Sequence, residues 1–260
     1  MKIKLFCDLY SCWSFRYAIF YTAAGDIRAR YRRSVLGPMW IIIGLGASSA
    51  GLGFMWGALL GEELRSIVPR ITIGLLIWYF ISSVLTEGVA IFTIHSEIVK
   101  NMRLPKSFLP LQLMTKHLIV FAHGLPIMLL AVIFSSEPIS WLTFLAIPNM
   151  LLCFSIMFSL MYICAFLSTR YRDLAQIVQI AMPVLFFLSP VLFKIEQLKN
   201  MEWLIWLNPF SYIILLISNP MLGRDLDQNV YVISVMMLIS LLACLSILFH
   251  FKSHRLTSWV

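Results

Sequence analysis

Six stretches of this 260-residue chain run long enough, nearly free of charge, to cross a lipid bilayer, and that decides most of what it can fold into. A helix needs about 20 apolar residues to span the hydrocarbon core. Residues 36–60 form the first run, 25 residues with no charged side chain. Residues 71–94 form the second, broken only by Glu87. The others are 117–134, 141–167, 174–193, which holds Pro183 and Pro190, and 230–249. The chain is 60% hydrophobic and 12% charged, against about 45–50% and about 25% in a soluble domain. No water-soluble core can bury that much apolar surface. The fold class is therefore an all-α membrane protein with six transmembrane helices.

A seventh uncharged run, 203–222, is also long enough, but it carries Asn208-Pro209 and Asn219-Pro220. Proline removes a backbone donor and biases the preceding residue away from helix. The expectation is a re-entrant helical hairpin between spans five and six, with protein or water satisfying its turn. With six spans and the N-terminus inside, 15 Lys and Arg fall on the inner side and 5 on the outer, as the positive-inside rule requires. A seventh span would put Lys252 and Arg255 outside. Both termini are thus expected to be cytoplasmic. Lys2 and Lys4 precede apolar residues, but Asp8 and Arg16 interrupt any signal-peptide core, so this segment is expected to be retained.

The net charge of +8 flanks the spans, which points to topology and lipid headgroups and away from nucleic acid. Trp40, Trp56, Trp78, Trp141, Trp203 and Trp206 fall near expected span ends, where aromatic belts lie. Cysteines 7, 12, 153, 164 and 244 have no metal-site spacing and read as small apolar residues.

The densest charge is in "DIRARYRRSVLGPMW", where Arg28, Arg30, Arg32 and Arg33 precede the first span. Upstream, Phe15, Ile19, Ala23, Ile27 and Tyr31 recur every four residues, so residues 1–35 are expected to carry an amphipathic helix lying in the membrane surface. Gly37-Pro38 reads as the bend into span one, the membrane domain proper being 36–260. Gly53, Gly57 and Gly61 mark a face for close helix approach, within the chain or across a dimer. Glu87 is the one acid inside a span and is either functional or hydrogen-bonded to Ser82, Ser83 or a neighbouring helix. His117 and His123 lack an obvious acid partner and read as structural. No Walker A, H-E-x-x-H or G-x-S-x-G motif occurs.

The order "RYRRSVLGPMW", "TEGVAIF", "RLPKS", "YRDLAQI", "LSPVLF" and "NPFSYIILLISNPMLG" resembles the permease subunit of type 2 ABC polysaccharide exporters of the Wzm and KpsM type, over nearly the whole chain. The "RYRRSVLGPMW" segment favours the O-antigen branch. The resemblance implies a homodimer in the bacterial inner membrane, joined to two copies of a nucleotide-binding subunit. ATP and Mg would sit on that subunit, and this chain would hold no cofactor or metal and be no enzyme. A lipid-linked polysaccharide, of O-antigen or capsular type, would pass between the two copies.

The resemblance also assigns residues. Glu97, Ile98, Val99, Lys100, Asn101, Met102, Arg103, Leu104 and Pro105 match the ATPase-coupling loop. Arg170, Tyr171, Arg172 and Asp173 form a second cytoplasmic contact. Arg28, Arg30, Arg32 and Arg33 would lie at the substrate entrance, where guanidinium groups suit a lipid diphosphate. Trp203, Trp206, Phe210 and Tyr212 would form an outer gate against sugar rings or an interfacial belt. A type 2 exporter of teichoic acid, drug or lipid is the alternative. A membrane-embedded lipid-modifying enzyme would need more catalytic groups at one depth than Glu87 and His123, and an ion-coupled transporter more intramembrane acids and an internal repeat.

Overall fold

The computed structural model describes residues 4–137, 140–225 and 227–260. Lys2, counted among the inner charges, lies outside them. Among the described residues there is no strand. Two helices open the chain, α1 (Lys4–Trp13) and α2 (Arg16–Arg30). Next come α3 (Met39–Leu60) and α4 (Leu64–Gly88). Short α5 (Ile91–Ile94) and α6 (Ser96–Asn101) lead to α7 (Phe108–Phe134). A 3-10 turn, Trp141–Leu145, enters α8 (Ala146–Ser168), and α9 (Asp173–Phe187) follows. The chain closes with α10 (Glu202–Leu207), α11 (Pro209–Met221), α12 (Gln228–Lys252) and the four-residue α13 (Leu256–Trp259).

Among the described residues, five helices are long and apolar enough to cross a membrane: α3, α4, α7, α8 with its 3-10 turn, and α12 with its C-terminal extension. The expected fifth span, 174–193, is different. α9 has 15 residues, about 22 Å at 1.5 Å per residue, short of the ~30 Å hydrocarbon core. The chain breaks at Leu188–Pro190, and the next residues fold back on α4. There Gly74 lets the backbone of Val191 come close: a Cβ on Gly74 would lie 2.9 Å from Val191 Cγ1 and 3.3 Å from its Cα.

α4 is the centre. Nearly every residue from Ile71 to Leu85 is buried, with Tyr79 the exposed exception. Lipid gives no hydrophobic drive between helices, so close approach of small residues does the packing. The glycine face of α3 is used within the chain. A Cβ on Gly53 would lie 2.5 Å from Val68 Cγ2, and one on Gly57 would lie 3.3 Å from the Glu62 carbonyl oxygen. Gly61 takes positive φ (66°) and ends α3.

Residues 4–35 share this core. The four-residue repeat on α2 faces inward: Ile19, Ala23 and Ile27 are buried, and Phe15 meets Phe108 edge-on at 6.2 Å. The outward face instead carries Phe6, Tyr10, Trp13, Tyr17, Phe20 and Tyr21, all exposed, with the Arg16 guanidinium 4.5 Å from the Tyr17 ring. The bend after α2 forms where Arg33 (φ 70°) and Gly37 (φ 54°) leave helical geometry. Ser34 Oγ accepts from the Gly37 N–H at 3.1 Å, and Pro38 caps α3.

Residues 203–222 form two short helices hinged at Asn208. Buried Asn208 accepts from the Phe210 N–H at 3.0 Å. Its Nδ2 donates to the Leu185 carbonyl at 3.0 Å and to Ser189 Oγ at 2.9 Å, closing the frayed end of α9. Asn219-Pro220, in contrast, breaks nothing: α11 runs to Met221. The Leu216 carbonyl that Pro220 cannot satisfy accepts from Asn149 Nδ2 at 2.8 Å.

Two variants test this packing by thermal unfolding of the purified protein in detergent. Asn208→Leu strands the buried Phe210 N–H and removes the donations to the Leu185 carbonyl and Ser189 Oγ, which keep only each other, and is expected to cost roughly 1–3 kcal/mol. Gly53→Val overpacks the α3–α4 contact and is expected to cost roughly 1–3 kcal/mol. Unchanged melting in either case refutes the corresponding contact.

Candidate functional site

At the end of the molecule where α2 meets α4 and α7, Glu87 is the hub of an ion cluster. Its Oε1 accepts from Arg30 Nη2 at 3.0 Å. Its Oε2 accepts from Lys116 Nζ and lies 3.4 Å from His117 Nε2. The charged groups thus come from three helices. Gln112 Nε2 donates to Asp26 Oδ2 at 3.1 Å and adds a second tie between α7 and α2. A cavity of about 400 Å³ opens here, lined by Arg30, Glu87, Lys116, His95, Gln112 and Gln179 among others. Of the hydrogen-bond partners expected for Glu87, the neighbouring helices supply those observed, and the carbonyls of Ser82 and Ser83 accept from Thr86 instead. His117, expected to lack an acid partner, lies buried beside Glu87, because α7 starts at Phe108 and carries His117 within the packed helix. His123 sits with Nδ1 2.7 Å from the Ile119 carbonyl.

Arg28, Arg32 and Arg33 are exposed beside Arg30, the one arginine of the four held by an acid in these contacts. A second cavity, about 570 Å³, lies between α3, α4 and α9 and is lined by Ser48, Met55, Trp78, Tyr79, Ser82 and Phe186 among others. Ser82 and Thr86 are one turn apart on α4, and Met182 and Gln179 on α9. The polar cavity and the aromatic one are therefore stacked along the same two helices. Trp78, expected in an interfacial belt, is mid-helix and buried, its ring 5.4 Å from Phe186 and 6.0 Å from Phe210.

The loop after α4 returns to the same end. Ile98, Val99, Leu104 and Pro105 are half-buried and face the core, while Glu97, Lys100, Asn101, Met102 and Arg103 are exposed. Arg170, Tyr171, Arg172 and Asp173 are exposed between α8 and α9. Ser168 Oγ donates to the Val89 carbonyl and fastens the two loops to each other.

Sequence reading missed what holds this loop. Asp8 of α1 accepts from the Lys106 N–H at 3.1 Å and the Ser107 N–H at 2.8 Å, covering donors just before α7. Ser107 Oγ shares a hydrogen bond with Tyr162 OH at 3.2 Å. Lys106 Nζ donates to the Ser253 carbonyl. Burial pushes the Lys106 pKa down, with the Asp8 charge opposing. N-terminus, loop and C-terminus thus form one clasp. The only local signal was that Asp8 is the one acid of α1.

At the opposite end, Glu62 accepts from Arg70 Nη1 at 3.0 Å, Lys194 Nζ at 3.2 Å and Gln197 Nε2 at 2.7 Å. Burial raises its pKa, but the hydrogen bonds and charges of Arg70 and Lys194 outweigh that and hold it below the usual carboxylate range. Of the four expected gate aromatics, Trp203 is exposed, and Trp206 packs against Tyr212 at 5.4 Å while the Tyr212 hydroxyl donates to the Trp206 carbonyl. Phe210 is the correction. It is 5% exposed, locked against Trp78, and offers no face to a sugar.

Apolar spanning helices, an ion-paired polar end and paired loops on that end define a multi-pass membrane permease. The chain belongs to the ABC-2 type transporter family, which it matches over residues 17–222. It is similar to the O-antigen export system permease protein RfbA of Myxococcus xanthus, 23% identical over 76% of this chain and 75% of that protein. Two proteins of that name from Klebsiella pneumoniae are 25% and 24% identical, over 80% and 78% of this chain and 82% and 77% of their own lengths. Permeases of this family pair with an ABC ATPase subunit.

Asp8→Ala removes two charge-assisted hydrogen bonds and is expected to cost about 1–3 kcal/mol of stability. Asp8→Asn, which keeps one acceptor oxygen, is expected to retain part of it. Equal melting temperatures for both variants and the parent protein would rule the clasp out.

Proposed function

We propose that this chain is the permease of an ATP-driven exporter of a lipid-linked polysaccharide of the O-antigen type, acting as a homodimer in a bacterial inner membrane with both termini in the cytoplasm. The observation that carries the reading is the stacking of the two cavities. A polar cavity at the arginine end, where Arg30 and Lys116 meet Glu87 and Asp26, continues, one helical turn further, into an aromatic one between α3, α4 and α9. A lipid-linked glycan has the matching order: a charged phosphate end and sugars with faces that stack on aromatic rings.

In this reading the α3–α4–α9 groove is half of a channel that a second copy completes. Six spans would then include α9 with the folded-back residues after it. α10 and α11 are the re-entrant outer element, and Trp203, Trp206 and Tyr212 line its exit. The exposed aromatic face of α1 and α2 sits in the headgroup layer, as Trp and Tyr do at interfaces. The exposed half of the Glu97–Pro105 loop meets the ATPase, with Arg170–Asp173 as the second contact. ATP closure would push on the loop, and the Asp8 clasp would pass that push to α7, α8 and α12.

Two experiments test the reading in cells lacking the native permease. Replacing Arg28, Arg30, Arg32 and Arg33 together by Gln is expected to abolish surface glycan while the complex still assembles. Full export by an assembled variant would defeat the entrance assignment. Tyr79→Ala with Trp206→Ala is expected to reduce export severalfold without loss of assembly. In reconstituted complex, ATPase stimulation by the lipid-linked glycan is expected, and stimulation by the bare lipid alone would favour a lipid exporter.

A further inference from the structure

We infer that Glu87 is a place-holder for the substrate's phosphates: its carboxylate occupies Arg30 and Lys116 in the empty permease, and an incoming diphosphate displaces it and takes both cations. The inference rests on the proposed headgroup reading and adds to it a second cation, Lys116, and a built-in competitor. Three observations point this way. The carboxylate bridges cations from two different helices, α2 and α7, each through its own oxygen, much as a phosphate would. It is not sealed in: a third of the Glu87 side chain is exposed, and it opens on a cavity of about 400 Å³. Besides the carboxylate of Asp26, the remaining lining carries groups that can meet phosphate oxygens, the Gln112 and Gln179 amides and the His95 ring.

Charge explains why a competitor is needed. Arg30 and Lys116 without an anion would be two cations side by side at the edge of a low-dielectric region, with Lys116 only 13% exposed. Such a pair is costly to leave bare and would hold any anion tightly. Glu87 neutralises it, and Asp26, held by Gln112, is the second carboxylate of the cavity. Bound phosphate therefore faces two acids that favour its departure. A transporter needs that, because a headgroup that cannot leave stops the cycle. His117, buried beside Glu87, fixes one side of the carboxylate's resting position.

The prediction has a sign that a purely structural ion pair does not share. With the permease–ATPase complex in nanodiscs of zwitterionic lipid, the probe is farnesyl diphosphate, with farnesol and inorganic pyrophosphate as parallel arms. Glu87→Gln is expected to bind farnesyl diphosphate roughly tenfold tighter than the parent complex, and Lys116→Gln roughly tenfold weaker, the scale of one charge-assisted contact. Farnesol is expected not to bind in either variant. Pyrophosphate matching farnesyl diphosphate would identify the phosphates alone as the ligand and tight binding of the lipid form only would identify a headgroup; either supports displacement when Glu87→Gln tightens it. If Glu87→Gln does not assemble, Glu87→Asp, with its carboxylate drawn back by one methylene, must tighten binding in the same direction. Unchanged or weaker binding by an assembled Glu87 variant, where the parent binds, overturns this inference and leaves the exporter reading standing. Absence of diphosphate binding in the parent and in every variant overturns both.

Discussion

α4 is the strut on which the other helices are set, and its two ends explain why. A carboxylate in a low-dielectric surround costs several kcal/mol unless it is paired and hydrogen-bonded. Glu62 stands just before α4 and Glu87 just before its last residue, and each accepts from side chains of more than one element. Glu62 joins α4 to the segment after α9, and Glu87 joins it to α2 and α7. From Ile71 to Ile81 the helix is apolar apart from Thr72 and buried apart from Tyr79, and α3, α7, α8, α9 and α11 pack on it. The ionic ends fix depth and rotation, and the glycine contacts at Gly53, Gly74, Gly88 and Gly124 fix distance.

The elements assigned to function are held by polar ties, of which the Arg30–Glu87 pair reaches this strut directly. α2 is held at its basic end by Arg30 and Asp26, α10 and α11 by Asn208, and the loop before α7 by Asp8. Hydrogen bonds and ion pairs at a half-wet site exchange for water or ligand at little net cost, whereas interdigitated apolar contacts do not. The half-exposed Glu87 cluster is thus a fastening that can be exchanged beside a stiff centre, whereas the buried Asn208 hinge is part of that centre. Glu87 belongs to both, which is why one carboxylate can serve as a packing element and as the competitor for a ligand.

Much of this was legible in the chain itself. Runs of uncharged residues located the long helices, Gly37-Pro38 the entry bend, and Asn208-Pro209 the hinge, because each depends on local backbone chemistry. Partners distant in sequence were not legible. Glu87 pairs 57 residues back with Arg30 and 29 forward with Lys116, and Asp8 reaches Lys106 across 98. One hint was present: the second and third spans are antiparallel neighbours, so an acid late in one and a Lys-His pair opening the next share a depth. Facing was the other failure. The repeat Phe15–Ile19–Ala23–Ile27 identified an apolar stripe correctly, but in a membrane both sides of a helix can be apolar, and only packing showed that the stripe meets α7 and the aromatics meet the outside. Trp78 and Phe210 were misplaced for the same reason, since aromatic rings serve a buried core as readily as a belt.

The vertical order of chemistry in the proposed path follows from what a membrane tolerates. Mobile charge is cheapest near the headgroups, so the polar cavity belongs at the end of α4, beside arginines that reach water. Deeper in, further cations would each need a buried counter-charge, and the helices supply none around Trp78 and Tyr79. They supply instead flat rings and small hydroxyls such as Ser48 and Ser82. Sugars have both apolar faces and hydroxyl edges, so such a wall can carry them without holding them at one place. Tyr79 is the one exposed residue in the buried stretch of α4 around it, a phenol that offers a ring and a hydroxyl together. A path built this way grips a substrate by its charge at the entrance and only slides along it thereafter, which is the arrangement a long, repetitive polymer requires.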